Sequence, residues 1–407
     1  MTSKVEIGFD LSGDPDLPFF VLDDATKGRL DNIVYLLGGV VFFDVTDKVK
    51  SFSISRGKSR QLDRYPAGRL TVEFDNNERT FDPLYTESPY AGQIIPRREV
   101  RVSTDDVIQY EGVIDDWNLS YTPNGNSIAS VVASDALTVF ANQTLTEALQ
   151  TSQTSGERII AILDNLNVNW SIDKRDIETG LQTLQADTVA DGTNVLEYIQ
   201  RVVTSEPGAF FIGKNGFVNY KENAINVDLQ NTTTFSDDGI GIPYKDIQVI
   251  YGSELLYNEV VVNILGGGQA IAVDLASQVE YGIVSLTLDN LLLQSTDDAE
   301  TMADSLVGKY RQPEYRINSV TVDLETVTPE QRAEILALEL NDPATVKFTP
   351  NNISPEIDKL TQIIRIQHAV TPTSHNITFG FSEFYLKRWT LSDLILGRLS
   401  RGNSLAF

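Results

Sequence analysis

Between Val49 and Asp135 the chain alternates with a period of two: Phe52 and Ile54, then Leu70, Val72 and Phe74, then Val100 and Val102, then Ile108 and Tyr110, then Ile128, Ser130 and Val132. Successive side chains of a strand point to opposite sides, so this alternation predicts strands with one buried face. Five short runs separated by turn signals such as Pro123-Asn124-Gly125 predict a small antiparallel barrel, with Gly112 marking a bulge. One connection does not fit a compact barrel. From about Asp75 to Arg98, with prolines at 83, 89 and 96, it has neither strand nor helix periodicity. Ordered loops of that length are uncommon inside a domain and usually serve a function.

The period changes between Thr151 and Glu222. Ile159, Ile160, Leu163 and Leu166 have helical spacing, as do Val195, Leu196, Ile199, Val202 and Val203 after the start signal Asp191-Gly192-Thr193-Asn194. A hairpin with a Lys214-Asn215-Gly216 turn follows, which makes this an α/β insertion. Strands are expected again over about Ile247 to Ile264 and Glu280 to Leu288, then a helix from the Asp297 region to Tyr310. Thr328, Pro329 and Gln331 place a capping hydroxyl, an N1 proline and an N3 glutamine in register, predicting a helix to about Leu340. Three further strand-like runs close a second barrel. The expected organisation is mainly β, α+β overall: an N-terminal arm (1–34), a first barrel (35–145), the insertion (146–240), a second barrel with a helical insertion (241–385) and a C-terminal tail (386–407).

At 407 residues, 41% hydrophobic and 22% charged, the chain has ordinary globular composition and enough length for a large core. Its longest apolar run, Ile33 to Phe43, is too short to span a bilayer and reads as buried strand. The start has no basic n-region followed by an apolar h-region, so synthesis and folding in a cytoplasm are expected. A net charge of −25 disfavours stable nucleic-acid binding, which needs clustered cations.

No cofactor or metal site is expected. There is no cysteine, and His368 and His375, seven apart, are off the spacing of a helical zinc pair; they read as polar residues flanking a turn at Thr371-Pro372. The carboxylate pairs Asp115-Asp116, Asp237-Asp238 and Asp297-Asp298 are what 57 acidic residues produce on turns and helix starts. Gly266-Gly267-Gly268 lacks the Lys-Ser/Thr of a phosphate loop, and no G-x-S-x-G elbow occurs. The sequence therefore reads as a non-enzyme. A cell-wall hydrolase built on an acidic pair is the less favoured alternative, and a carbohydrate site on Trp117, Trp170 or Trp389 rests on residues that more often fill cores.

Two features remain. Arg56, Lys58, Arg60, Arg64 and Arg69 concentrate positive charge just before the long connection, as a solvated loop or as an interface for a neighbour's carboxylates. The pattern L-x-D-x-x-x-G-R-L occurs twice: Leu22, Asp24, Gly28, Arg29 and Leu30, and again Leu391, Asp393, Gly397, Arg398 and Leu399. This is chance among common residues, or one docking peptide presented at both ends.

The run S-R-G-x-S-R-x-L-D-R, the turn carried by Asp75, Asn76, Arg79, Phe81, Asp82 and Pro83, and Ser88-Pro89-Tyr90 resemble the N-terminal region of tail-tip hub proteins of long-tailed bacteriophages infecting actinobacteria. The segment from Gly192 to Tyr220 is similar to the inserted domain of the wider hub family, and the arm from Val21 to Asn32 to the starts of such proteins. The likeness is thin between about 320 and 385. It implies two hub or tudor-like barrels per subunit and a homotrimeric, pseudo-hexameric ring around a channel that genomic DNA crosses. It also implies a place in the virion below the distal tail ring protein, holding the end of the tape-measure protein. Because longer members carry appended receptor-binding or hydrolase domains, host recognition is expected in other minor tail proteins or receptor-binding fibres. A hexameric distal-tail or adaptor ring protein is the alternative.

From this resemblance the long connection is expected to clasp a neighbouring subunit through Arg79, Phe81, Asp82, Tyr85 and Tyr90, with Arg56, Arg60 and Arg64 beside it. Three copies would carry three times −25, or −75, and acid facing the lumen would let DNA slide. Two docking peptides per subunit would give a trimer six contacts to a six-fold ring.

Overall fold

Eight of the twelve residues that the alternation marks in the first barrel are buried, and Ile108, beside a register shift, is half-buried. The structure, a computed structural model, describes residues 2–9, 41–123, 125–222 and 232–383. The first lobe holds β1 (Ser3–Phe9), β2 (Val41–Asp44), β3 (Val49–Gly57), β4 (Arg69–Asp75), β5 (Glu99–Thr104), β6 (Val107–Tyr121) and β7 (Ser127–Ser134), all paired antiparallel in the order β3-β4-β7-β6-β5-β1-β2. Phe52, Ile54, Leu70, Val72, Phe74, Val100 and Val102 line one core. β7 is the exception: Ala129, Val131 and Ala133 face the core, not Ile128, Ser130 and Val132. β6 bends at two register shifts, at Val102/Ser103 on its β5 side and at Ile114/Asp116 on its β7 side.

The insertion contains α1 (Leu137–Ala141), β8 (Ala148–Gln150), β9 (Gln153–Thr154), α2 (Ser155–Leu163), β10 (Arg175–Ile177), β11 (Thr183–Leu184), β12 (Asp187–Val189), α3 (Val195–Ser205) and the hairpin β13 (Ala209–Ile212) and β14 (Val218–Lys221). Thr154 closes a capping box with Glu157, and Asn194 caps α3 by accepting from the Glu197 N–H at 3.0 Å. Ile159, Ile162, Leu163, Tyr198, Ile199 and Val202 fill its core, while Leu166 lies beyond α2 and is exposed.

The second lobe holds β15 (Thr233–Ser236), β16 (Asp246–Gly252), β20 (Glu314–Asp323), α6 (Pro329–Ala337), β21 (Pro343–Phe348), β22 (Ile357–Thr371) and β23 (Ser374–Glu383). Between β16 and β20 lies a separate small unit: β17 (Glu259–Ile264), β18 (Gln269–Val273), α4 (Leu275–Tyr281), β19 (Ser285–Leu291) and α5 (Thr296–Tyr310), with its own core. Glu280, expected in a strand, is therefore in α4. Only Glu280 and Tyr281 fall in this short helix, whose cap, Asp274, accepts from the Ser277 N–H at 2.8 Å; from Ser285 the expected strand is β19. The Thr328–Gln331 capping box is present as expected.

β22 joins the lobes. On one side its first half pairs with β21 and its second half with β3, while Thr361 to Thr371 pair with β23. Thirteen strands thus form one connected sheet, and no sheet among the described residues closes on itself. The pairing also departs from pure antiparallel order, since β15–β21 and β17–β19 are parallel. Ile366 on β22 belongs to the second-lobe core and Val370 to the first, so His368 stands where the two meet. Gly57 ends β3 at φ 101°, and a Cβ there would lie 2.2 Å from the Ile364 carbonyl oxygen, so this close approach requires glycine.

Polar contacts tie the parts together beside this seam. Arg56 pairs with Glu339, and the other Glu339 oxygen accepts from the Lys214 N–H at 2.8 Å. Lys214 Nζ donates to the carbonyls of Leu336, Ala337 and Leu338 at 2.7, 2.6 and 3.2 Å, and Gln109 Nε2 to Leu336 at 3.1 Å. The C-terminal end of α6 is thereby capped from the first lobe and from the insertion at once.

Candidate functional site

The connection between β4 and β5 is a staircase of turns with a period of three. The backbone N–H groups of Arg79, Asp82, Tyr85, Ser88 and Ala91 donate to the carbonyls of Asn76, Arg79, Asp82, Tyr85 and Ser88, at 2.9 to 3.2 Å. Side chains lock the steps. Asn76 Oδ1 accepts from the Phe81 N–H at 2.9 Å, Ser88 Oγ donates to the Thr80 carbonyl at 2.6 Å, and Asp82 Oδ1 accepts from the Leu84 N–H at 2.9 Å. Asx and Ser side chains satisfy backbone groups that a helix or sheet would otherwise pair, so the segment is ordered without either.

Apolar pegs hold the staircase to the first lobe. Phe81 is fully buried, with ring centroids 4.5 Å from Phe74, 5.8 Å from Trp117 and 6.0 Å from Tyr90. Tyr90 stacks on Phe9 at 4.4 Å, and Trp117 Nε1 donates to the Ile95 carbonyl at 3.1 Å. The expectation that Phe81 meets a neighbouring subunit is thus corrected: its ring belongs to this chain's own core, and Tyr90 is half-buried beside it.

Arg79, Asp82 and Tyr85 do come together. Arg79, at φ 58°, clamps Asp82 with nitrogen–oxygen distances of 2.8 Å and lies 4.8 Å over the Tyr85 ring. Burial opposes the Asp82 charge, but the Leu84 N–H, the Arg79 guanidinium and the Tyr121 hydroxyl at 2.9 Å outweigh it and hold its pKa below the ordinary value. This cluster turns the staircase's outer edge toward the end of the β6–β7 hairpin. An open cleft of about 600 Å³ runs between them, lined by Arg79, Pro83, Leu84, Leu119 and Tyr121.

The basic run is distributed differently. Arg56 follows Phe52 and Ile54 on the inward face of β3, is 4% exposed and pairs with Glu339, which corrects its assignment to an interface. Arg60 meets Asp63 at 3.4 Å and Glu254 at 3.6 Å, and Arg64 donates to Gln200 at 2.8 Å. Both tie this loop to other parts of the same chain. Lys58 donates to the Gln61 carbonyl, and burial lowers its pKa to about 8. The docking-peptide residues, Leu22, Asp24, Gly28, Arg29 and Leu30 with Leu391, Asp393, Gly397, Arg398 and Leu399, lie outside the described residues.

Leu84, 85% exposed, with Ile95 and Tyr121, is the apolar surface that sequence reasoning missed. With no period of two or 3.6 in the segment, nothing distinguishes an inward Phe81 from an outward Leu84. A three-residue spacing of Asn76, Arg79, Asp82, Tyr85 and Ser88 was the available signal. Among the described residues no group of three or more His, Asp or Glu side chains is placed to hold a metal ion, and no helix is long and apolar enough to cross a membrane.

No family model matches the chain, and no curated protein matches it by sequence. Solved structures do. The 43 kDa tail protein of prophage MuSo2 from Shewanella oneidensis aligns with a TM-score of 0.56 at 13% identity, over 85% of this chain and 96% of that one. The tail protein from Neisseria meningitidis MC58 aligns with a TM-score of 0.56 at 10% identity, over 85% and 94%. The chain has the fold of these tail proteins along nearly their whole length.

Proposed function

We propose that this protein is a structural component of a bacteriophage tail, and specifically a tail-tip hub. Three copies close into a ring around the DNA channel and join the distal tail ring protein and tape-measure end to the proteins that recognise the host. The observation that carries this reading is the agreement of the whole two-lobed fold, insertion included, with tail proteins over 94–96% of their length. The ordered staircase supports it: Leu84 and Ile95 are held outward by a frame whose cost in backbone order is met by Phe81 and Asn76 inside. In this reading the outer edge of the staircase, with Arg79, Asp82 and Tyr85 holding its shape, clasps the adjacent copy, and no reactive centre is involved.

Native mass measurement of the purified protein tests the reading. Three copies are expected, with Leu84→Asp shifting them toward monomer. Six copies would favour the adaptor-ring alternative, and a monomer at all concentrations would overturn both. The two L-x-D-x-x-x-G-R-L peptides are proposed as the contacts to the ring above, so deletion of residues 386–407 is expected to abolish attachment while sparing trimers. Unchanged attachment would refute that role.

A further inference from the structure

Far along the chain from the staircase, the unit between β16 and β20 carries a second unpartnered surface. α5 covers one face of its sheet, where Val260, Val262, Ala270 and Ala272 pack against Ala299, Ala303 and Leu306. The other face is open. Ile271 and Val273 project from it, with Val261 between Ile271 and Thr287 in the register. The apolar surface continues along the chain through α4 and the turn after it, so that Ile271, Val273, Leu275, Val279 and Ile283 are 43% to 89% exposed. β18 is also an edge strand: β17 pairs with one side of it, and no ladder among the described residues meets the other. Exposed aliphatics on an unpaired edge are what a soluble chain avoids unless something adds to that edge.

Charge selects what adds. Residues 246 to 308 contain ten acidic residues and no lysine, arginine or histidine. Among the described residues only Glu254 and Asp274 of these form ion pairs, with Arg60 at 3.6 Å and Arg311 at 3.1 Å. On the open face Glu259 lies in register between Val273 and Ser285, and Asp289 accepts from Asn263 at 2.6 Å, so both acids flank the aliphatic row. A second copy docking edge to edge would bring two such acidic units together, whereas a cationic partner would enter their negative field favourably.

We propose that the Gln269–Val273 edge and the face beside it form a docking site for an extended segment of a partner protein in which aliphatic residues alternate with lysine or arginine. The segment adds as a fourth strand next to β18, its aliphatic side chains meeting Ile271 and Val273 on the open face and its cations, which alternate to the other face, on the side covered by α5 with its Asp297, Asp298, Glu300 and Asp304. This site is independent of the staircase and of the ring reading.

The test uses the full chain and a fluorescent peptide of alternating lysine and valine, with binding followed by anisotropy and by amide hydrogen exchange. Expected are salt-sensitive binding, slowed exchange at residues 269–273, and about tenfold weaker binding when Ile271→Ser and Val273→Ser are combined. Slowed exchange confined to the acidic helix α5, or equal binding of a glutamate–valine peptide, would overturn the proposal. So would self-association of the wild-type protein that Ile271→Ser removes, since a second copy would then own the face. The exchange measurement uses only wild-type protein and decides the question even if the double variant fails to fold.

Discussion

Acid should weaken the seam between the lobes, and a single substitution should make it weaken faster. His368 Nδ1 and His375 Nε2 are 3.0 Å apart, and both rings are buried. The contact needs one ring nitrogen to donate and the other to accept, so both rings cannot be protonated and keep it. Burial, then the charges of His375, Arg56 and Lys214, push the His368 pKa well down; burial lowers His375 to about 4 against the pull of Asp105 and Asp323. A histidine depressed in the folded state contributes stability that is present above its unfolded value of 6.5 and lost as pH falls toward 4. For His375 the full loss is about 3 kcal/mol. Asp135 acts oppositely. Burial raises its carboxyl to about 7, against the Gly68 and Leu137 N–H groups and Arg56, so the folded chain takes up a proton there that the unfolded chain refuses until about 3.8. As pH falls below 6.5 the unfolded state takes up histidine protons that the two buried rings resist, and the folded state holds an aspartate proton that the unfolded state lacks. Each such proton contributes a slope of about 1.4 kcal/mol per pH unit. Asp135→Asn removes the opposing proton and should steepen the slope by about 1.4 kcal/mol per pH unit, whereas His375→Gln should reduce it by as much. Glu222 and Asp342, also raised, are common to all three proteins and drop out of the comparison. Urea unfolding read by tryptophan fluorescence at a series of pH values gives the slopes. Equal slopes for wild type and Asp135→Asn would refute this assignment of the protons.

Phe81→Ala empties a fully buried site and should destabilise the first lobe by about 3–5 kcal/mol in denaturant titration, with faster exchange at residues 79–91. At concentrations where wild type is monomeric, Leu84→Asp should leave the same titration within about 0.5 kcal/mol of wild type, because its side chain is in solvent in the single chain. Glu339→Ala strands the buried Arg56 charge and removes an acceptor from Lys214, for a loss of about 3 kcal/mol in the same assay. Thr328→Ala deletes the capping oxygen of α6 and should cost about 1 kcal/mol.

What the sequence disclosed divides along physical lines. Short-range rules were sufficient wherever the local pattern and the tertiary contact agree: the strands through Leu70, Val72 and Phe74, the Asn194 and Thr328 caps, and the Lys214–Gly216 hairpin all have causes within a few residues. The failures have distant causes. β7 presents Ala129, Val131 and Ala133 inward through its registers with β4 and β6, which no window on β7 contains. The histidines read as turn flankers because they are seven apart in sequence; antiparallel pairing of β22 with β23 brings them into contact. Arg56 was legible in part, since it continues the alternation of Phe52 and Ile54. Its carboxylate partner, Glu339, is 283 residues away, and a positive charge without a visible partner reads as surface.

The staircase brings these strands of argument together. A loop that must present a fixed outer edge needs internal anchors, since ordering about twenty residues carries a large entropic cost that no exposed side chain offsets before a partner arrives. Phe81, Ile94 and Tyr90 supply the anchors, and the Arg79–Asp82–Tyr85 cluster fixes the corner from which Leu84 projects. The motif residues by which the segment resembles hub proteins are therefore mostly the frame, not the exposed edge. A frame of this kind permits the residue at position 84 to vary with the partner while Asn76, Arg79, Phe81 and Asp82 stay fixed by their mutual bonds. The motif and the surface it serves are different sets of atoms, and this is why Phe81, at the centre of the pattern, lies inside while Leu84, outside the pattern, meets the solvent.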